Sequence, residues 1–439
     1  MNSMLRIDEE TQVDDSIKSY KRFAYLPISG TKLNNANPIV IRVENSDNYF
    51  RPCDSEIEFE GKLVKADAAG TPYKKAEALL TLINNGLMYL FDNIKYELSS
   101  TEIESVYQPG QATTMFGLLT KNMNFNEGGG LNSCWLPDDS DGSAKDANTG
   151  WENRRKLLFE NNVMAATVED PNSGSFRFSV KLEDIFGFAT DYRRVMYGFV
   201  HTLTLVRNVN HKDALFGKDG AADGKIEFTK ISWILPNVEP SQVANYELVK
   251  LINEQKTLSI DFRVRQCLTT VVSPSDTFLW RLGIRTSPEK PRFLVLGFQT
   301  DREGSLAKNL GLFDNCQLQN AYVLMNNRRY PAMDYNANFP KNHYNKLYRD
   351  FYQFMEKFYG ISDSVTSTSV DPVAYKHLFP LFVFDVTRQS ERIQQAVIDI
   401  TIQCYFGGNM AAKTKAYCLM ISDRRLKFKS DGSKASIVY

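Results

Sequence analysis

Along most of this 439-residue chain, apolar side chains recur at every second position. Successive side chains of a β-strand point to opposite faces, so this period gives an element with one buried and one outward face. One face collects Phe176, Phe178, Val180 and Leu182. Another collects Leu258, Ile260, Phe262 and Val264, with Asp261, Arg263 and Arg265 opposite. Phe278, Trp280, Leu282 and Ile284 form a third set, and Ile398, Ile400, Ile402, Cys404 and Phe406 a fourth. Such segments run from about Ile39 to the C-terminus, with Gly, Pro, Asn and Asp between them. That pattern predicts an all-β chain built from more than one sandwich.

Helical spacing is confined to two stretches. Ser241 to Lys256 follows "LPNVEP", with Ser241 as a cap and Val243, Tyr246, Val249 and Ile252 in helical register. Asn342 to Gly360 carries an aromatic stripe of Tyr344, Leu347, Tyr348, Phe351, Met355 and Phe358, with Gly360 as its stop. The first stretch divides the chain near residue 240 into halves of about 200 residues, each the size of one elaborated eight-stranded sandwich. No residue-level repeat links the halves.

The chemistry-bearing residues are sparse. Lys plus Arg equals Asp plus Glu, 52 each, which lacks the basic excess of a protein that coats nucleic acid. Short basic clusters at Asn153–Lys156, Tyr192–Arg194, Asn326–Tyr330 and Ser422–Lys434 read as solvated rims, or as contacts to nucleic acid or an acidic neighbouring subunit. His201, His211, His343 and His377 form no i, i+4 pair. Cys53, Cys134, Cys267, Cys316, Cys404 and Cys418 have no metal spacing and read as inert, mostly buried thiols of a reducing compartment. The polar loops at Leu136–Gly150 and Asn208–Lys225 fail the EF-hand ligand pattern. The first of them, from Asp138 to Asn148, is expected to be a dispensable surface loop. No Walker loop, GxGxxG or GxSxG is present. These absences leave no catalytic, cofactor-binding or metal residue to assign, no cofactor, and the expectation of a non-enzyme. No run of 18 apolar residues forms a membrane segment, and the N-terminus has no signal-like apolar region.

The stretch from Asn84 to Gly110 is a hairpin with nothing reactive in it. Ile94, Tyr96 and Leu98 share a face against Lys95 and Glu97. After Ser99-Ser100, Ile103 faces in while Glu102 and Glu104 face out. This stretch, "LINNGLMYLFDNIKYEL" with "EIESV", resembles the first jelly roll of the double jelly-roll major capsid proteins of the polinton and adintovirus type. The Ser-Ser turn departs from the Asn-Gly or Gly-Gly of that family. "WILPNVEPS" is similar to its crossover between rolls. "KPRFLVLGFQTDR", "NCQLQNAYVLMNNRRYPAMDYNANFPKNHYNKLYRDFYQF", "PLFVFDVTRQSERI" and "TKAYCLMISDR" extend the resemblance to the C-terminus.

The resemblance implies two consecutive eight-stranded jelly rolls with a few short helices. Their expected bounds are an N-terminal arm at 1–24, a first roll at 25–236, a connecting segment with a helix at 237–256 and a second roll at 257–439. It implies a homotrimer with a pseudo-sixfold outline. Neighbouring capsomers and a single jelly-roll penton protein would be its partners in an icosahedral virion shell assembled in the host cell. The arm is expected to act in assembly and not in folding. Two alternatives stand beside it: a host-domesticated copy with another assembly role, and a carbohydrate-binding β-sandwich using Trp135 and Trp151 beside the acidic loop.

Overall fold

The computed structural model describes residues 15–28, 30–44, 47–74, 77–141, 147–159, 173–254, 257–285, 289–361, 368–388, 398–430 and 435–438. The first half holds β1 (Ile17–Tyr25), β2 (Ile39–Val43), β3 (Tyr49–Phe50), β4 (Glu56–Lys65), β5 (Leu80–Leu82), β6 (Phe91–Leu98) and β7 (Thr101–Tyr107). Helices α1 (Pro109–Thr120), α2 (Met123–Glu127) and α3 (Thr149–Phe159) follow. Then come β8 (Ser175–Lys181), α4 (Leu182–Ile185), α5 (Gly187–Asp191), β9 (His201–Arg207), β10 (Leu215–Gly217) and β11 (Gly224–Pro240). Helix α6 (Gln242–Asn253) leads to the second half. That half contains β12 (Leu258–Val271), β13 (Thr277–Arg285), β14 (Lys290–Thr300), β15 (Leu318–Met325) and β16 (Arg328–Tyr330). After α7 (Asn345–Tyr352), α8 (Phe354–Tyr359) and α9 (Pro372–His377) come β17 (Phe382–Asp385), β18 (Ile398–Phe406), β19 (Thr414–Ser430) and β20 (Ala435–Val438).

The two halves share one topology. With the short β3, β5 and β10 set aside, the first half has sheets β1-β11-β4-β8 and β2-β9-β6-β7. The second has β12-β19-β14-β17 and β13-β18-β15-β16, with β20 extending the first of these. Counted along each half, both read 1-8-3-6 and 2-7-4-5, with every pairing antiparallel. First strand beside last, with two sheets face to face, is the jelly roll. The repetition also reaches the turns. Leu98 pairs with Thr101 across Ser99-Ser100, and Met325 pairs with Arg328 across Asn326-Asn327; all four turn residues have positive φ. Two central residues with positive φ give the turn whose twist matches a hairpin. The Ser-Ser departure therefore keeps the tight turn.

The period-two pattern finds its core. Phe176, Phe178, Val180 and Leu182 are buried, as are Ile260, Phe262, Val264, Ile398, Ile400, Ile402, Cys404 and Phe406. Where the aromatic stripe predicts one helix, the chain makes α7 and α8, which meet at Gln353.

The expected arm boundary shifts. Residues 17–25 pair with β11 from Pro240 to Trp233 and form the first strand of the first roll. Its sequence, IKSYKRFAY, hides the strand because Lys and Arg interrupt the alternation on a largely exposed strand. Residues 1–14 lie outside the described residues. At the other boundary β11 runs on to Pro240, and the Ser241 side chain accepts from the Ala244 N–H to cap α6.

Candidate assembly interface

The two rolls meet along a seam. On one side stand β7, α1, α4 and α5 of the first roll. On the other stands β12, the edge strand of its sheet, backed by β19 and α8. A free sheet edge presents unpaired N–H and C=O groups, and here carboxylates accept two of the N–H groups. The Glu104 carboxylate accepts the Arg265 N–H at 2.8 Å, and also the N–H groups of Gly187 and Phe188 at 3.0 and 2.9 Å. Asp191 accepts the Arg263 N–H at 2.8 Å and pairs with its guanidinium. At Gly187 a Cβ would lie 1.6 Å from the Arg263 carbonyl oxygen, so only glycine admits this approach.

Side chains lock the same contact. The buried Arg265 guanidinium donates to the Glu183 and Asp184 carbonyls and to Thr190 Oγ1, and lies 3.5 Å over the Phe116 ring. Arg263 stacks on Phe358 and donates to its carbonyl. Phe116 meets Phe354 and Phe358 edge-on. Arg424 donates to the Ile103 carbonyl and is paired with Glu289. Burial pushes the Glu104 carboxyl above its ordinary range, against the pull of its N–H donors and of Arg265.

A second ionic node closes the other end of the seam. Arg154 and Asp138 form a salt bridge at 2.6 Å with both side chains buried. Arg154 also donates to the Leu82 and Leu136 carbonyls. Asp138 further accepts from Asn148 and, across the seam, from Asn309, both at 2.8 Å. Tyr89 donates to the Leu310 carbonyl, and the Gly217 N–H to the Leu306 carbonyl. This overturns the expectation of a dispensable loop: Asp138 and Asn148 are buried anchors, while residues 142–146 between them lie outside the described residues. It also overturns a solvated rim at Asn153–Lys156, because Arg154 lies inside.

The remaining sequence features are placed as follows. Trp135 and Trp151 are buried, their indole N–H groups donating to Asn126 and the Phe216 carbonyl, so neither ring is free to stack on a sugar. Arg193 pairs with Glu183, Arg329 with Asp334 and Arg425 with Asp261. Five cysteines are buried and Cys316 partly so, all as free thiols. His201 is buried beside Tyr96, whose hydroxyl lies 2.8 Å from Nδ1. A cleft of about 970 Å³ opens between α3 and α9, lined in part by Asp139, Asn153, Lys156, Asp371 and His377. Among the described residues no group of His, Cys, Asp and Glu could hold a metal ion, and no helix is long and apolar enough to cross a membrane. Glu104, Gly187 and Asn309 escape sequence reasoning, because each acts on a partner far away in the chain.

Two rolls of one topology, fused through a helix and locked along a seam, define a double jelly roll. Residues 150–426 match the double jelly roll-like domain family, and the chain belongs to it. It is similar over its full length to a chain in the cryo-EM structure of the Sputnik virophage, with 10% identity, 92% of that chain covered and a TM-score of 0.64. The mavirus major capsid protein is similar over 99% of this chain and 92% of its own, at 9% identity and a TM-score of 0.53. The Faustovirus major capsid protein matches over 97% and 92%, at 9% identity and 0.52. At such identities the likeness is one of fold. No curated protein sequence matches the chain significantly.

Proposed function

We propose that this chain is the major capsid protein of a polinton- or adintovirus-type element, acting as a structural protein and not as an enzyme. The observation that carries the proposal is the locked seam between two rolls of identical topology. A rigid pair of near-equivalent blocks is a shape suited to tiling. Three chains would place six rolls in a ring with a pseudo-sixfold outline, and such rings pack edge to edge into an icosahedral shell. The units would be a first roll at 17–240 and a second at 258–438, joined by α6. Neighbouring capsomers and a single jelly-roll penton protein would be its partners in the virion, with assembly in the host cell. The resemblance of the C-terminal motifs supports the polinton branch, and the even charge balance suits dense packing.

Electron microscopy of the expressed full-length protein tests this. Six-lobed particles with threefold symmetry, alone or tiled into shells, are the expected result. Isolated two-lobed particles at all concentrations would contradict it.

A further inference from the structure

The outer face of one sheet in the second roll carries a pocket built from residues that the first roll does not share. The strand registers locate the difference. Counted back from the two tight turns, Tyr322 of β15 takes the place of Lys95 of β6. Their cross-strand partners are Gln403 and Thr204. Two residues further back both rolls have asparagine, Asn320 and Asn93, and beside these stand Tyr405 and Val206. The jelly roll itself therefore does not call for tyrosines at this place. Beyond the next strand the chain also takes another course: β7 runs into α1, whereas β16 opens into the long segment 331–343.

Floor and wall of the pocket are both held by the chain's own hydrogen bonds. The Tyr322 hydroxyl donates to Gln403 Oε1 at 2.8 Å, and Gln403 Nε2 donates to the Tyr405 hydroxyl at 2.5 Å. The two rings lie 6.3 Å apart, tilted by 37°. The Arg329 guanidinium sits 4.0 Å over the Tyr322 ring and is paired with Asp334, which also accepts from Asn320 at 2.6 Å. The wall is the loop that carries Asn336, Asn338, Lys341 and His343. Asn338 and His343 exchange backbone hydrogen bonds at 2.8 and 2.9 Å, and Asn338 Oδ1 accepts the Lys341 N–H at 3.0 Å. The Ala337 N–H ties the loop to the Gln319 carbonyl at 2.8 Å. The space between measures about 660 Å³, the size of a small-molecule site.

We propose that this pocket binds an acidic saccharide. A side-chain amide both donates and accepts, which matches hydroxyl groups that do the same; Gln319, Asn336 and Asn338 supply such amides. A tyrosine offers an apolar ring with a polar tip, and the half-buried Tyr405 ring takes the C–H face of the sugar. Asp334 is the one acid among the lining residues and is paired with Arg329, which leaves Lys341 in excess for a sugar carboxylate. The stacking that Trp135 and Trp151 are too buried to give thus falls to a tyrosine on another face. A single site of this kind binds weakly, and a shell that repeats it many times binds a glycan-covered surface far more tightly without any new contact.

Saturation-transfer NMR on the full-length chain tests this, with methyl glucuronide as the probe and methyl glucoside as its neutral counterpart. The glucuronide ring protons should receive saturation with a Kd on the order of 1 mM, and the glucoside should bind about tenfold more weakly. Tyr405→Ala should abolish the transfer. Lys341→Glu should weaken the glucuronide about tenfold and leave the glucoside unchanged; Lys341 is exposed, so this variant keeps its fold even where loss of the Tyr405 ring lowers stability. Tyr246→Ala removes a tyrosine that is 70% exposed on α6, outside the pocket, and should change neither sugar. No transfer to either sugar, or transfer that both Tyr405→Ala and Lys341→Glu leave intact, would overturn the site. Equal affinity for the two sugars would overturn the acidic class.

Discussion

Asp138 shows how much one side chain can hold in this fold. Its carboxylate joins Arg154, Asn148 and Asn309, and so ties the loop before α3 to both rolls. Removing one partner of a buried ion pair strands the other charge without water, which costs about 3–5 kcal/mol. Asp138→Ala should lower stability by that order, read as a shifted denaturant midpoint. A change within error would return the loop to the dispensable class. Two histidines make stability depend on pH. Burial lowers His201 to about 3, and burial with Arg207 nearby lowers His211 to about 4. Unfolded imidazoles take up protons as pH falls through about 6.5, while the folded ones stay neutral. The unfolded state then binds more protons, so stability falls with falling pH between about 6.5 and 4, by up to about 1.4 kcal/mol per pH unit for each histidine. His201→Gln should flatten that slope in denaturant melts taken at pH 7, 6 and 5; an unchanged slope would assign the loss to other groups.

At the scale of elements, the tight turns carry a testable strain. Ser99 and Ser100 have φ of 46° and 68°, a region that costs a residue with a Cβ roughly 1–2 kcal/mol. Asn and Gly tolerate it. Ser99→Asn with Ser100→Gly should stabilise the chain by about 1 kcal/mol, and raise Tm by about 1 °C. A fall in Tm would mean that the serine hydroxyls matter more; Ser99 Oγ does accept the Val200 N–H at 3.3 Å. The same elements show what a sequence can disclose. Alternation marks the inner face of β8, β12 and β18, because burial against the roll's own partner sheet leaves a period of two. It also marks Glu104, Arg263 and Arg265 as outward. It cannot show that outward here means into a second roll, since that covering surface comes from residues more than 70 positions away. Helices α1 and α3 stay hidden for a related reason. Helix α1 is buried almost all round, so it has no polar stripe to set a helical period. Strand β1 is hidden by the opposite fault, having too little cover to need regular alternation.

At the scale of the whole molecule, the chain is two rolls of one design locked along one seam. The fold class was legible from periodicity, and the family from motifs whose order runs to the C-terminus. The seam was not, because it is made of contacts between residues that no local pattern connects. The proposed function requires three identical chains in one capsomer, and the mass of the purified protein tests it most directly. Light scattering at micromolar concentration should give three times the 50.0 kDa chain mass, stable on dilution. A single species of one chain mass under the same conditions would contradict it.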